Sequence, residues 1–397
     1  MNSRVSNLIV NKTNCRNLTL LLSSAMTLIA GATISSALPD ISLYFKNIPN
    51  TQFWVQFIIT IPPFFIAISS PFLGCILDKF GRKPVLIIGI LLYAIAGSIG
   101  YFIESLWLLL LSRAFVGIGF AAVMTSCTTL IGDFYKDEEL NKYLGAQAAF
   151  MGFAGVLLLI LGGFLNDINW RFTFLINLCY FIVLPGVFLF VEEPMRIKQK
   201  HSGLSFKADH LYVSKLLIIY LIGFLMMMVL YIIPVVLPFF IKLFKNTHNI
   251  HTGIAVAILI FFAGITSSYY KRVRLLMNYK YVFVLAFTLI GIGYLVVAIS
   301  TSYYIMLPGL ILIGLGQGFT LPNINFWIIS TTEEFIRGKA IGFLTTFLYL
   351  GQFSTALITY PVQKIFDLVG CFIMATLIML VLAIGFILFN KNLSTNK

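Results

Sequence analysis

The residues with chemical potential in this chain are few. Between Gly74 and Lys83 the segment GCILDKFGRK packs four charges of mixed sign between two long apolar runs. Asp78 can accept hydrogen bonds from exposed amides and suits the positive end of a helix. Arg82 presents a planar fork to a carboxylate, and Asp133, at the end of a later apolar run, can take it. The second feature is Arg113. All 14 acidic residues fall in loops or at the ends of apolar runs, whereas Arg113 is a charge inside one. At bilayer depth a charge costs about 2.5–3.5 kcal/mol on insertion scales, so such a residue faces a partner or a wet cavity, or reaches for the interface. Its run starts at Leu106, which sets it ~10 Å deep at 1.5 Å per residue. Helical spacing places Gly117, Ala121, Met124 and Thr128 on its face, small and partly polar as a cavity wall would be. Gln56, Gln147, Asn177, Gln317, Asn323, Asn325 and Gln352 are further polar groups at depth. Each is a cavity candidate or an interhelical hydrogen bond.

Other chemistries lack their residues. His248 and His251 have H-x-x-H spacing but straddle a loop end, which reads as interface histidines rather than a metal site. The glycine-rich GIGFAA and GLGQGF lie in apolar runs and follow no strand, so they are not phosphate loops. No Ser–His–Asp or Cys–His set falls at plausible depth, and the five cysteines form no disulfide framework. An enzyme, a metal and a cofactor are therefore not expected.

The elements that position these residues follow from composition. Of 397 residues 59% are hydrophobic and 10% charged, with mean hydropathy +0.97. A soluble domain carries about 25% charged residues, so lipid is the expected solvent. Runs long enough to span a bilayer occur at 18–38, 53–76, 84–103, 106–131, 143–165, 172–191, 214–239, 251–270, 281–300, 303–329, 339–360 and 369–389. They are continuous rather than alternating, which favours helices over a closed barrel. With the N-terminus placed in the cytoplasm, that side holds 21 of the 27 Lys and Arg; Lys46, Arg171, Lys242, Lys245 and Lys364 fall opposite, and Arg113 lies within a span. This is the positive-inside pattern with both termini cytoplasmic, and it accounts for the net charge of +13 without a nucleic-acid partner. A basic central loop, 192–213, divides the chain into 1–191 and 214–397, six spans each. The first run reads as a retained span rather than a cleaved signal, since its removal would upset the charge asymmetry.

Gly74, Asp78, Gly81, Arg82 and Lys83, in the loop between spans two and three, match the signature of the major facilitator superfamily at that place. The resemblance covers the whole chain. LSRAFVGIGFAA (111–122) resembles the family's Arg-centred motif, with Val116 where Gln is usual. NWRFTFLIN (169–177), GLGQGFTLPN and RGKAIGFLTTFLYLGQ (337–352) are similar to the twelve-span drug:proton antiporter branch. Gly162 and Gly163 match its span-five motif, while Leu158 and Leu159 replace the preceding Gly-Pro; span one has no acid before Asp40. The Gly-x-Gly pairs Gly117/Gly119 and Gly316/Gly318 suggest an internal repeat.

The resemblance implies an all-α membrane protein: twelve transmembrane helices in two six-helix bundles around a cavity. It implies a latch in which Asp78 meets the start of span eleven near Gly338 and Arg82 pairs with Asp133. For Arg113 it implies a protonation-linked pair with Asp40. Direct binding of an anionic substrate group and a snorkelling structural role stand beside that reading. The function implied is proton-coupled export of a small amphipathic molecule by a monomer in a bacterial inner membrane. Transport of an anionic metabolite, such as a carboxylate siderophore, is the alternative, with Arg113 as counter-ion. A sensor or channel on the same fold is a third reading.

Overall fold

A computed structural model describes residues 2–26, 29–194 and 210–388; most of the expected central loop lies outside them. All regular structure among these residues is helical. In order it comprises α1 (Asn2–Met26), α2 (Ile29–Ser35), α3 (Leu38–Tyr44), α4 (Thr51–Phe80), α5 (Arg82–Ser98), α6 (Leu106–Phe134), α7 (Asp137–Ile168), α8 (Phe172–Leu175), α9 (Tyr180–Phe190), α10 (His210–Leu230), α11 (Ile232–Ile241), α12 (Asn249–Leu276), α13 (Tyr279–Ala298), α14 (Tyr303–Thr331) and α15 (Glu334–Leu388). Ten stretches among the described residues are long and apolar enough to cross a membrane. The last, 336–388, carries spans eleven and twelve, which part at Asp367, a residue with φ 58°. Span one takes in the end of α1 and all of α2, and Pro39, in the first turn of α3, starts a new helix beyond it.

Long apolar side chains face outward all along these helices; Ile182 is 74% exposed and Val381 66%. That suits a lipid environment, where backbone groups must be satisfied inside each helix and the apolar surface need not be hidden. Packing within each half depends instead on close approach. In the first half, Leu86, Ile90, Tyr93, Val123, Cys127 and Tyr180 form one core. In the second, Phe283, Phe287, Tyr294, Leu310, Trp327 and Phe372 form another.

The repeat is visible in glycine contacts, in a register two residues from the expected one. A Cβ on Gly117 would lie 2.5 Å from Pro62 O of α4, and one on Gly119 2.9 Å from Tyr93 N of α5. In the second half the same order is kept by Gly314 against Leu259 of α12 and Gly316, 2.6 Å from Ala286 O of α13. Gly318 instead packs on Ala263 and Thr266 of α12.

Candidate functional site

The signature loop is a tight turn between two helices. Gly81 has φ 103°, a conformation only glycine adopts without strain. α5 begins at the next residue, and its first amides need acceptors. Glu193, just beyond α9, supplies both oxygens: Oε1 accepts from Arg82 N at 2.8 Å and Oε2 from Lys83 N at 2.7 Å. Lys83 Nζ donates to Phe188 O at 3.0 Å. Arg82 Nε lies 3.0 Å from Asp133 Oδ2, an ion pair without aligned hydrogen-bond geometry. The structure thus brings Arg82 and Asp133 together. It does not bring Asp78 to span eleven. The Asp78 side chain is 68% exposed and 3.9 Å from Arg82 Nη2. Among the described residues, a Cβ on Gly74 or on Gly338 would meet no atom within 4 Å, so at the central-loop end no described neighbour packs on either glycine. Glu193 was missed by sequence reasoning; the acidic pair at 192–193, on the same side as the signature loop, was the available signal.

Arg113 occupies none of the three expected places. It is fully buried, with Nη2 donating to Ala96 O at 3.1 Å and Gly97 O at 2.9 Å, and Nε to Ser112 Oγ at 3.3 Å. Its guanidinium lies 5.0 Å from the Phe174 ring centroid. The cation sits at the last turn of α5, where carbonyl dipoles concentrate negative potential. It neither snorkels nor opens to a cavity, and it does not pair with Asp40. The reason is the break before Pro39: α3 carries Asp40 across to the second half, where Lys242 Nζ lies 3.3 Å from Oδ1 and Asn249 Nδ2 2.6 Å from Oδ2.

The expected cavity wall is also dispersed. Gly117 is pressed against α4, Met124 is half-buried and Thr128 exposed. Gln147 donates to Ser24 Oγ at 2.6 Å, tying α7 to α1. Gln352 Nε2 lies 3.7 Å from Met227 Sδ, linking α15 to α10. Gln317 is half-buried and Asn325 exposed. Asn323 bridges Tyr270 and Tyr279 within the second half. His248 and His251 cap α12: His251 Nδ1 accepts from His248 N at 3.0 Å.

What joins the halves is a polar seam at the end away from the central loop. Asp167 Oδ1 accepts from Asn249 N at 2.6 Å and Oδ2 from Ile250 N at 3.1 Å, so a carboxylate of α7 caps α12 across the interface. Asn249 Nδ2 also donates to Asn166 O at 3.1 Å. Gln52 and Gln56 of α4 both donate to Gln363 Oε1 at 3.1 Å, and Tyr360 OH to Asn50 Oδ1 at 2.6 Å. A Cβ on Gly163 would lie 2.8 Å from Ile250 Cα, so α7 and α12 touch at backbone distance. Deeper, the seam turns aromatic: Phe64 and Phe353 have ring centroids 4.6 Å apart, and Phe120 and Tyr349 6.3 Å. These half-buried rings lie near the middle of their helices.

The family model for the Major Facilitator Superfamily matches residues 20–356 and 219–395. The chain belongs to the major facilitator superfamily. Among its relatives, the multi-drug resistance efflux pump PmrA of Streptococcus pneumoniae is 24% identical over 339 residues, 81% of this chain and 84% of the pump. The class H tetracycline resistance protein of Pasteurella multocida is 23% identical, covering 70% and 72%. An MFS-type transporter of Aspergillus terreus is 32% identical over 40% of this chain. The matched stretch spans 28% of that protein's length and 24% of the efflux pump dotC of Dothistroma septosporum. The fold is that of the solved nucleoside transporter NupG, with a TM-score of 0.79 at 13% identity, covering 95% of this chain and 99% of that one. The xylose transporter XylE from E. coli superposes with a TM-score of 0.77 at 13% identity over 94% and 95%. With ten stretches long and apolar enough to cross a membrane among its described residues, this superfamily member has the make-up of a multi-pass membrane protein.

Proposed function

We propose that this transporter exports a small amphipathic molecule in exchange for protons, by alternating access of halves 1–191 and 214–397. The observation that carries the reading is the contrast between its ends. The seam of Asp40, Asp167, Asn249 and Gln363 joins the halves at one end, while Gly74 and Gly338 stand uncovered at the other. A protein whose halves rock must form and break such a seam in each cycle. The Lys and Arg asymmetry supports a reading in which the uncovered end and both termini face the cytoplasm, and the membrane in this proposal is a bacterial inner membrane. In this reading the structure is an inward-open state with the Asp78 latch released.

Substrate chemistry is supported by what reaches mid-depth. Phe64, Phe353, Phe120 and Tyr349 offer aromatic faces, and the acids all lie in loops or at span ends. That environment suits an amphipathic molecule carried largely by ring stacking and apolar contact. The Streptococcus relative is named as a multi-drug resistance efflux pump and the Pasteurella relative as a tetracycline resistance protein, which favours the export reading. Recognition of an anionic metabolite would require Arg113, which is committed to the carbonyls of α5. Proton coupling then falls to Asp40 and Asp167, the carboxylates in the seam. The test is thermal stability of purified protein with lipophilic amphiphiles or with polycarboxylates. Stabilisation by amphiphiles, equal in wild type and Phe353→Tyr but lost in Phe353→Ala, is expected. Stabilisation by polycarboxylates alone would refute the reading.

A further inference from the structure

In the first half, the turn into α5 is neutralised from within. Glu193 takes two helix amides, Asp133 pairs with Arg82, and Phe188 O takes Lys83. The equivalent turn in the second half lies between α12 and α13, spans eight and nine. It carries Lys271, Arg272, Arg274 and Lys280 with no acid between 269 and 281. Among the described residues, no carboxylate lies within 4 Å of any of the four. Arg274 Nη1 donates to Met277 O at 3.1 Å and its guanidinium lies 4.3 Å from the Phe326 centroid, but its buried Nε has no partner. Lys280 is 7% exposed and sits in the first turn of α13, where a cation opposes the helix dipole. Asn278, the N-cap of α13, makes no side-chain cap and the first turn holds no acid. The counterpart of Glu193 would come from the end of span twelve, yet 368–397 contains neither Asp nor Glu. The loop is nonetheless held in shape, because Asn323 bonds both Tyr270 OH and Tyr279 O.

We infer that an anionic phospholipid headgroup supplies the missing charge, its phosphate lying at the α13 N-terminus among Arg274, Lys280, Lys271 and Arg272. The flanks fit a lipid rather than a free ion. Leu275 is 80% and Leu276 86% exposed, while Tyr269 and Tyr281 are exposed beside them, as aromatic residues are at headgroup level. Basic residues next to a span attract anionic lipid at about 1 kcal/mol each near the surface. The site rests on the membrane placement of the chain and not on the substrate assigned above, so it stands if that assignment fails.

The experiment uses the full chain in phosphatidylcholine nanodiscs containing none or a fifth of phosphatidylglycerol, with retained lipid counted by native mass spectrometry and melting followed in parallel. Phosphatidylglycerol should be retained and raise the melting temperature of the wild type. Lys271→Gln/Arg272→Gln, both exposed and safe for folding, should bind it roughly 30-fold more weakly, the loss expected for two headgroup cations. Lys136→Gln, a basic residue of the other half on the same side, should bind as wild type. Asn278→Asp should stabilise the protein without phosphatidylglycerol and remove most of its further effect, because the carboxylate then takes the place Glu193 holds in α5. Inorganic phosphate should not replace the lipid. Equal retention in wild type and the double variant, an equal effect of phosphate, or an Asn278→Asp variant that responds as wild type would each overturn the inference.

Discussion

Replacing Asp167 by alanine should release the closed end. The carboxylate caps α12 from the other half, with Asn249 N at 2.6 Å and Ile250 N at 3.1 Å. An N-terminal side-chain cap is worth ~1 kcal/mol and a carboxylate adds about 0.3–1 kcal/mol from the helix dipole. Asp167 is exposed, so water takes over part of both terms. The remaining loss, about 1.5 kcal/mol, bears only on conformations in which the halves meet, since the donor and acceptor lie on different halves. The ratio of closed to open at that end should therefore fall about tenfold. Spin labels at Lys46→Cys and Leu243→Cys, exposed residues of the two halves at this end, report the distance in a background lacking the native cysteines. A longer-distance population should appear in Asp167→Ala with α-helical content unchanged. Asp40→Ala should do the same, and because both residues hold Asn249 the double variant should depart from additivity. An unaltered distance distribution in Asp167→Ala would refute the assignment of the seam as a closure.

Three further outcomes are expected. Arg113→Leu should lower stability by about 2–3 kcal/mol, hydrogen bonds to a charged group offset partly by relief of its burial, with amphiphile affinity unchanged; an affinity loss at unchanged melting temperature would return Arg113 to the substrate. Glu193→Ala should cost ~1 kcal/mol and speed hydrogen exchange at the Arg82 and Lys83 amides, and unchanged exchange there would contradict the cap. Gly163→Val would collide with the α12 backbone at Ile250, so labels at 46 and 243 should separate as in Asp167→Ala. A closed distance in that variant would show that the close approach of α7 and α12 is not needed.

Most of the architecture was legible because the membrane forces it into composition. Apolar runs must be about as long as the bilayer is thick, and the charges between them must sort by side. Spans two to twelve accordingly match, and the two points of difference are local: α3, a separate helix that starts at Leu38 beyond span one, and the join at Asp367. The signature loop was legible from its residue types, including the approach of Arg82 to Asp133. Arg113 was not, because helical spacing fixes the face from which a residue leaves but not where a long side chain ends. Gly117, one turn further along, approaches α4, while the guanidinium reaches back to α5. Asp40 was misplaced for a related reason: a proline-started turn redirected it. The seam itself joins residues more than 80 positions apart, such as Asp167 with Asn249 and Gln56 with Gln363, and no local pattern announces such pairs.

The central claim is that the seam closes one face of a substrate pathway so that the protein moves solute uphill. The most direct test is accumulation of a stabilising amphiphile in proteoliposomes carrying an imposed proton gradient. The account predicts uptake above the external concentration, collapse of that accumulation on adding a protonophore, and its absence in Asp78→Ala with binding preserved. Equilibration to the external concentration and no further, with or without the gradient, would contradict it.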